Sequence, residues 1–210
     1  MATGEMALQS AETLAGTPRL AEAGLLEQCR CGDAQAFAQL VTLYQGMVFS
    51  LGARLLGDSE EARDLAQDVF LQVYRQLQHF RGQSSLKTWI YRIVVNQAHN
   101  RRRFWKRRRR DRSVSIEDLQ PAESLRLVAS EGGGPYHSLE RLERQARVQL
   151  ALLQISLKHR TVLLLREMEE MSCEQIAAVL ELPEGTVKSR LARAREALRQ
   201  RLVRAAGESQ

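Results

Sequence analysis

From about Leu25 onward the apolar residues of this chain fall three to four positions apart, the spacing of amphipathic helices. Asp33 stands where it can cap a helix whose buried side carries Ala36, Phe37, Leu40, Val41 and Tyr44. Gly57-Asp58-Ser59 interrupts the pattern, and a helix over 62–78 follows with Leu65, Val69 and Val73 on its inner face. Phe80-Arg81-Gly82-Gln83-Ser84-Ser85 is a second break, after which Leu86, Trp89, Ile90, Ile93 and Val94 trace one face of a further helix. Residues 113 to about 138 hold Pro121, Gly132-Gly133-Gly134-Pro135 and scattered acids without a period, which is the composition of a linker. The helical period resumes at Leu139, Leu142, Ala146 and Leu150. The expected architecture is all-α: a disordered tail at 1–21, a helical domain at 22–112, a flexible linker at 113–138 and a second helical domain at 139–206.

The chain has 210 residues and 23.8 kDa, enough for two small domains. Hydrophobic residues make up 44% but aromatics only 5%, so the apolar mass is Leu, Val, Ile and Ala, which suits helix packing. The net charge of +6 is unevenly placed. Arg101 to Arg112 holds nine Lys or Arg against one Asp, and Thr186 to Arg204 holds seven against one Glu. Outside those segments stand 15 of the 31 basic residues and 23 of the 25 acidic ones, so the remainder is acidic. Two focused basic patches suit a polyanion, because phosphates release counterions to Lys and Arg. Cys29, Cys31 and Cys173 are an odd, sparse set without zinc spacing and imply neither a disulfide framework nor a metal site. No apolar run is expected to span a membrane, no signal-peptide segment opens the chain, and a cytosolic protein is expected.

Near the C-terminus, Ser172 and Gln175 have the spacing of a capping box ahead of Ile176, Ala177, Val179 and Leu180. Glu181-Leu182 makes a short turn and Pro183 can open the next helix. Two helices joined this tightly read as a helix-turn-helix. At ~100° per residue, Val187, Leu191, Ala194 and Leu198 share the inner face of the second helix, while Lys188, Ser189, Ala192, Arg193 and Glu196 share the outer one. A cationic surface interleaved with small residues can enter a major groove; Arg190, Arg195 and Arg199 lie further round, toward the phosphates. Upstream, the polar side of helix 62–78 presents Asp64, Gln67, Asp68 and Leu71 together. A leucine among acids suggests a protein partner, although an ordinary solvated face would read the same.

Three strings resemble the sigma factors of bacterial RNA polymerase, in their compact extracytoplasmic-function (group IV) form of the sigma-70 family. Gly57-Asp58-Ser59-Glu60-Glu61-Ala62-Arg63-Asp64-Leu65-Ala66-Gln67-Asp68-Val69-Phe70-Leu71 looks like the part of region two that docks on the polymerase clamp helices. Phe80-Arg81-Gly82-Gln83-Ser84-Ser85-Leu86-Lys87-Thr88-Trp89-Ile90-Tyr91-Arg92-Ile93-Val94-Val95-Asn96 is similar to the part that opens and reads the minus-ten element. Glu184-Gly185-Thr186-Val187-Lys188-Ser189-Arg190-Leu191-Ala192-Arg193-Ala194-Arg195 resembles region four, which reads the minus-thirty-five element.

The resemblance implies a polymerase-binding set of Asp64, Gln67, Asp68 and Leu71. It implies a minus-ten set of Phe80, Trp89, Tyr91, Asn96, Arg101, Arg102 and Arg103, and a minus-thirty-five set of Lys188, Ser189, Arg190, Ala192, Arg193 and Arg195. Phe80 and Asn96 match positions that hold and read a flipped base, and Trp89 and Tyr91 belong to the melting segment. An extruded base needs stacking and an edge-reading amide, which these residue types supply. Trp89 shares the apolar face and reads first as core, whereas Tyr91 and Asn96 are expected to point away from it. Phe104 and Trp105, within the basic run, would sit beside the opening duplex.

The implied partners are core RNA polymerase, through its clamp helices and flap, and promoter DNA; relatives of this size are often held by an anti-sigma factor, though no residue here identifies one. No cofactor, metal or bond chemistry is implied. Where many relatives carry Leu-Pro, this chain has Ile155-Ser156, and Ser156 can cap the following helix as well. Glu181 stands where a turn glycine is frequent. Two other readings stay open on the residues alone: a stand-alone helix-turn-helix regulator, and a nucleic-acid-processing enzyme using Asp64 and Asp68 as metal ligands.

Overall fold

The computed structural model describes residues 22–110 and 135–207, and no strand occurs among them. The expected tail and most of the expected linker lie outside the described residues. The N-terminal module comprises α1 (22–30), α2 (Ala34–Leu56), α3 (Ser59–Gln76), a short 3₁₀ turn (Leu77–His79) and α4 (Leu86–Arg110). The C-terminal module comprises α5 (Pro135–Gln154), α6 (Leu157–Leu163) with a π-helical turn at Leu164–Met168, α7 (Cys173–Leu180) and α8 (Glu184–Gly207). α5 opens at Pro135, so residues 135–138, expected in the linker, are helical; proline is well placed there because a first-turn N–H needs no partner.

Local chemistry sets the helix ends. The Asp33 carboxylate accepts from the N–H groups of Gln35 and Ala36, and that of Asp58 accepts from Glu60 and Glu61. Ser156 accepts from the N–H of His159, and Ser172 with Gln175 forms the complete capping box. Gly57 ends α2 at φ 78°, and a Cβ there would lie 2.5 Å from Leu153 Cδ2 of the C-terminal module. Only glycine meets both demands.

In the N-terminal module α2, α3 and α4 pack together through Leu40, Val48, Leu51 and Leu55, Leu65, Val69 and Val73, and Ile90 and Val94. α2, at 23 residues and with a window of mean hydropathy 1.2, has the length and composition to cross a bilayer, contrary to the sequence expectation. Its inward residues Ala36, Leu40, Val48, Leu51 and Leu55 make it the core helix of this bundle, which is the role its one-sided burial fits. In the C-terminal module Val162, Leu165, Ile176, Val179, Val187, Leu191 and Ala194 form the core beneath α8.

The two modules pack against each other and their buried residues form one continuous cluster. Arg160 lies at the junction, fully buried. Its guanidinium donates to the carbonyls of Leu152 at 2.8 Å, Leu153 at 2.6 Å and Ile155 at 3.4 Å, and across the junction to Leu55. Leu55 and Leu152–Leu153 lie in the last turns of α2 and α5, whose carbonyls have no partner within their own helices, so one side chain caps two helix ends. Burial, with Arg102 nearby, lowers the Arg160 pKa to about 9, which still leaves it charged at neutral pH.

Candidate nucleic-acid and polymerase interfaces

The α7–α8 pair is the helix-turn-helix anticipated from the sequence. Glu181 makes its turn in the left-handed region, φ 53° and ψ 48°, without the glycine that would adopt it at no cost. Pro183 acts one position earlier than expected, as the cap, since its carbonyl accepts from the N–H groups of Thr186 and Val187. On α8 Val187, Leu191 and Ala194 are buried, while Lys188, Ser189, Ala192, Arg193 and Arg195 are exposed and Arg190 is half-buried.

Most of the cations on this face are held by weak surface pairs. Lys188 meets Glu184 at 2.8 Å, Arg195 meets Glu167 at 2.8 Å and Arg199 meets Glu196 at 2.8 Å. The hydrogen bonds from Arg199 and Gln200 hold the Glu196 carboxyl down to about 2. Exposed pairs of this kind contribute little, so phosphates can displace them. Among the described residues Arg193 has no ion-pair partner, and it stands on the outer face between Ala192 and the buried Ala194. That leaves its fork open for a base edge.

On α3, Asp64, Gln67, Asp68 and Leu71 are all exposed, as expected. Asp68 has a further tie: its Oδ2 lies 2.5 Å from Arg101 Nη2, and Arg101 Nη1 donates to Glu61 at 2.9 Å. Asp64, Gln67 and Leu71 form the outward stripe, and Tyr74 extends it by one turn. Leu71 is 52% exposed and Tyr74 57%, with the Tyr74 ring edge-on to Phe37 at 5.0 Å between centroids. Tyr74 was not singled out in the sequence, although its spacing of three from Leu71 marks it as a neighbour on the same face.

The minus-ten set divides. Phe80 is buried in the core and Trp89 is half-buried against it, their centroids 5.0 Å apart at 38°, so only Trp89 of the pair keeps an accessible ring surface. Asn96 and Arg103 are exposed one and two heptads beyond Trp89, so the three share one stripe of α4. Phe104 and Trp105 are 54% and 44% exposed within the basic run. Tyr91 points away from the apolar face of α4, yet it is wholly buried, with Lys87 Nζ 5.7 Å from its ring centroid and its hydroxyl donating to Glu169. The reason is tertiary. Tyr91 does leave the core face of α4, but the side it turns to is covered by the C-terminal module. Burial and then Glu169 raise its pKa, so the hydroxyl stays a donor. Arg101 is tied to Glu61 and Asp68, Arg102 is half-buried, and only Arg103 of the three is exposed.

Residues 40–119 match the family model described as Sigma-70 region 2, and residues 145–198 match Sigma-70, region 4. This chain belongs to the sigma-70 family. Curated relatives place it among the extracytoplasmic-function sigma factors. The RNA polymerase sigma-H factor of Pseudomonas aeruginosa is 41% identical over 177 residues, covering 83% of this chain and 90% of that protein. The sigma factor SigW of Bacillus subtilis is 33% identical over 180 residues, covering 84% and 94%. The sigma-E factor of Escherichia coli is 36% identical over 180 residues, covering 86% and 93%. Among solved structures, the sigma factor RpoE of Bartonella quintana, in complex with the anti-sigma factor NepR, superposes with a TM-score of 0.63 at 26% identity, covering 80% of this chain and 98% of that one. CnrH, in complex with the cytosolic domain of CnrY, gives 0.58 at 25% identity, covering 86% and 96%. The N-terminal module is thus the region 2 module and the C-terminal one the region 4 module of this sigma factor.

Of the three free cysteines Cys29 is buried, Cys173 half-buried and Cys31 exposed. Cys29 is in the core, where burial first and Asp33 second raise its thiol pKa away from the reactive thiolate. Among the described residues no group of three or more His, Cys, Asp or Glu could hold a metal ion, and Asp68 is engaged by Arg101 rather than converging with Asp64.

Proposed function

We propose that this sigma factor binds core RNA polymerase and directs it to particular promoters, making no covalent bond itself. The observation that carries the reading is the coexistence, in one chain, of the Asp64–Leu71 face of region 2 and the groove-sized, cationic face of α8 in region 4. A lone regulator needs the second face but has no use for the first. Asp64, Gln67 and Leu71, extended by Tyr74, form the surface offered to the clamp helices, a small apolar centre within a polar rim. Phe80, Trp89 and Asn96 hold and read a flipped base of the minus-ten element, while Arg103 and the rest of the basic run follow the phosphates. Lys188, Ser189, Ala192 and Arg193 face the minus-thirty-five bases, with Arg190 and Arg195 toward the backbone and the flap contacted by the same module. The chain works in the bacterial cytoplasm, where its polymerase is. The relative from Bartonella quintana was captured with an anti-sigma factor, and a protein of that kind is the expected regulator here.

Overexpression followed by mapping of RNA 5′ ends tests the proposal. A set of new start sites sharing two sequence elements about 25 base pairs apart is the expected result. New transcripts whose starts share no element would overturn it.

A further inference from the structure

α1 is anchored to the bundle along its length and delivers one side chain to the loop that precedes α4. At its start Glu22 accepts from the Tyr44 hydroxyl of α2 at 2.7 Å. Leu25 and Leu26 pack on the core and Cys29 is buried in it. At its last residue the Arg30 guanidinium leaves its own helix and donates, through Nη2, to the carbonyl of Phe80, 50 residues on. Phe80 closes the 3₁₀ turn by donating its N–H to Leu77 at 3.1 Å, and its own backbone has already turned extended at φ −69° and ψ 109°. Its oxygen therefore lies past the last bond of that turn and is met from another helix instead.

From Phe80 the chain runs to Ser85 as an exposed loop. Arg81, Gly82 and Gln83 are at the surface, and Gly82 takes φ 68° with open space where a Cβ would stand. The far end of the loop is fixed to α4: the Ser85 hydroxyl accepts from the N–H of Thr88 at 3.1 Å, and the Ser85 carbonyl accepts from the N–H of Trp89 at 3.1 Å. The near end lies under Trp89, whose ring packs on that of Phe80. Arg30 thus acts on the point where the loop begins, and Trp89 on the point where it ends.

We propose that Arg30 is a positioning residue for minus-ten recognition: by holding the Phe80 carbonyl from α1 it fixes the 80–85 loop beside the exposed surface of Trp89 and sharpens the choice of base there, a role that rests on the minus-ten reading given to Phe80, Trp89 and Asn96 above. Arg30 is poorly suited to serving stability alone. Its Nε is buried without a hydrogen-bond partner, and its Nη1 meets only the exposed Glu27 at 3.3 Å. The bare Nε offsets much of what a charge-assisted bond to one carbonyl contributes, so the net effect of the side chain is geometric. A rigid guanidinium plane holds a carbonyl within a narrower range than a mobile ammonium does. Selectivity in a base pocket depends on that range, because a supporting shell that is loose by ~1 Å forfeits discrimination.

Transcription by core RNA polymerase with the full chain, from a promoter located by the 5′-end mapping above and randomised in its minus-ten element, tests this. The share of transcripts carrying each base gives the preference at each position. The wild type should discriminate sharply at one position, and Arg30→Met, which keeps the apolar stem without a donor, should lower that preference about tenfold. Its minus-thirty-five preference should stay unchanged and its melting temperature within ~5 °C of wild type. Arg30→Lys should recover part of the preference, and Glu27→Ala, which leaves the bond to Phe80 in place, should match wild type. Full preference in Arg30→Met, an equal loss of its transcription on every sequence, a larger fall in its melting temperature, or an Arg30→Lys chain no more selective than it would each overturn the assignment while leaving the sigma-factor reading intact. A wild type indifferent to base at every minus-ten position would overturn the minus-ten reading and the role of Arg30 with it.

Discussion

Arg160→Met removes a charge from the junction between the modules while keeping the length of the side chain. Three of the four carbonyls that Arg160 serves, those of Leu55, Leu152 and Leu153, are close partners, and the fourth at 3.4 Å is marginal. Each buried carbonyl left without a donor costs ~1–3 kcal/mol, less where the chain can relax to admit water. The Leu152 carbonyl keeps the N–H of Ile155 at 3.4 Å, so the two others put the loss at ~2–5 kcal/mol, the upper range for single substitutions and a large share of the 5–15 kcal/mol typical of a domain. Arg160→Lys should recover under half of this, because one ammonium cannot reproduce a planar fork directed at carbonyls from two helix ends. Urea denaturation followed by circular dichroism measures both variants against wild type. A loss below ~1 kcal/mol for Arg160→Met, with an unchanged denaturant slope, would refute the double-cap account of this residue.

Three other predictions address the candidate surfaces. Asp64→Arg with Leu71→Ala should lower co-purification with core polymerase by about a hundredfold at unchanged melting temperature, since both side chains are exposed; undiminished binding would move the interface elsewhere. Arg193→Ala should cost ~1–3 kcal/mol in binding to a minus-thirty-five duplex and relax preference at one base pair, as measured by fluorescence anisotropy, whereas equal loss on every sequence would make it a phosphate contact. Glu181→Gly should stabilise the helix-turn-helix by ~0.5–1 kcal/mol, because relief of the left-handed strain exceeds the loss of an exposed pair with Arg92; a lower melting temperature would show the opposite balance.

Features determined by near neighbours were legible in the sequence. The caps at Asp33, Ser156 and Ser172 are side chains bonding N–H groups two or three residues on, so spacing alone reveals them. The inner and outer faces of α8 follow from a single period, as does the exposed stripe of α3. The burial of Tyr91 was not legible, because a helical wheel tells which side of α4 leaves its own bundle but not whether a second module covers that side. The stripe at 91, 95, 99 and 102 was present as a signal, with an apolar residue, a histidine and an arginine following a tyrosine at helical spacing. Arg160 was passed over for a similar reason: a lone arginine at the head of Thr161–Leu165 looks like a helix-end cation until the carbonyl of Leu55, 105 residues away, is found against it. Arg101 likewise counted as a free cation until Glu61 and Asp68 were placed beside it.

Transcription reconstituted from purified core RNA polymerase, this sigma factor and genomic DNA tests the central claim most directly. Addition of the chain should produce discrete transcripts starting at a limited set of shared two-element sites, and Asp64→Arg with Leu71→Ala should abolish them. Core polymerase that starts at the same random positions with and without the chain, or discrete starts that survive the double substitution undiminished, would contradict the account.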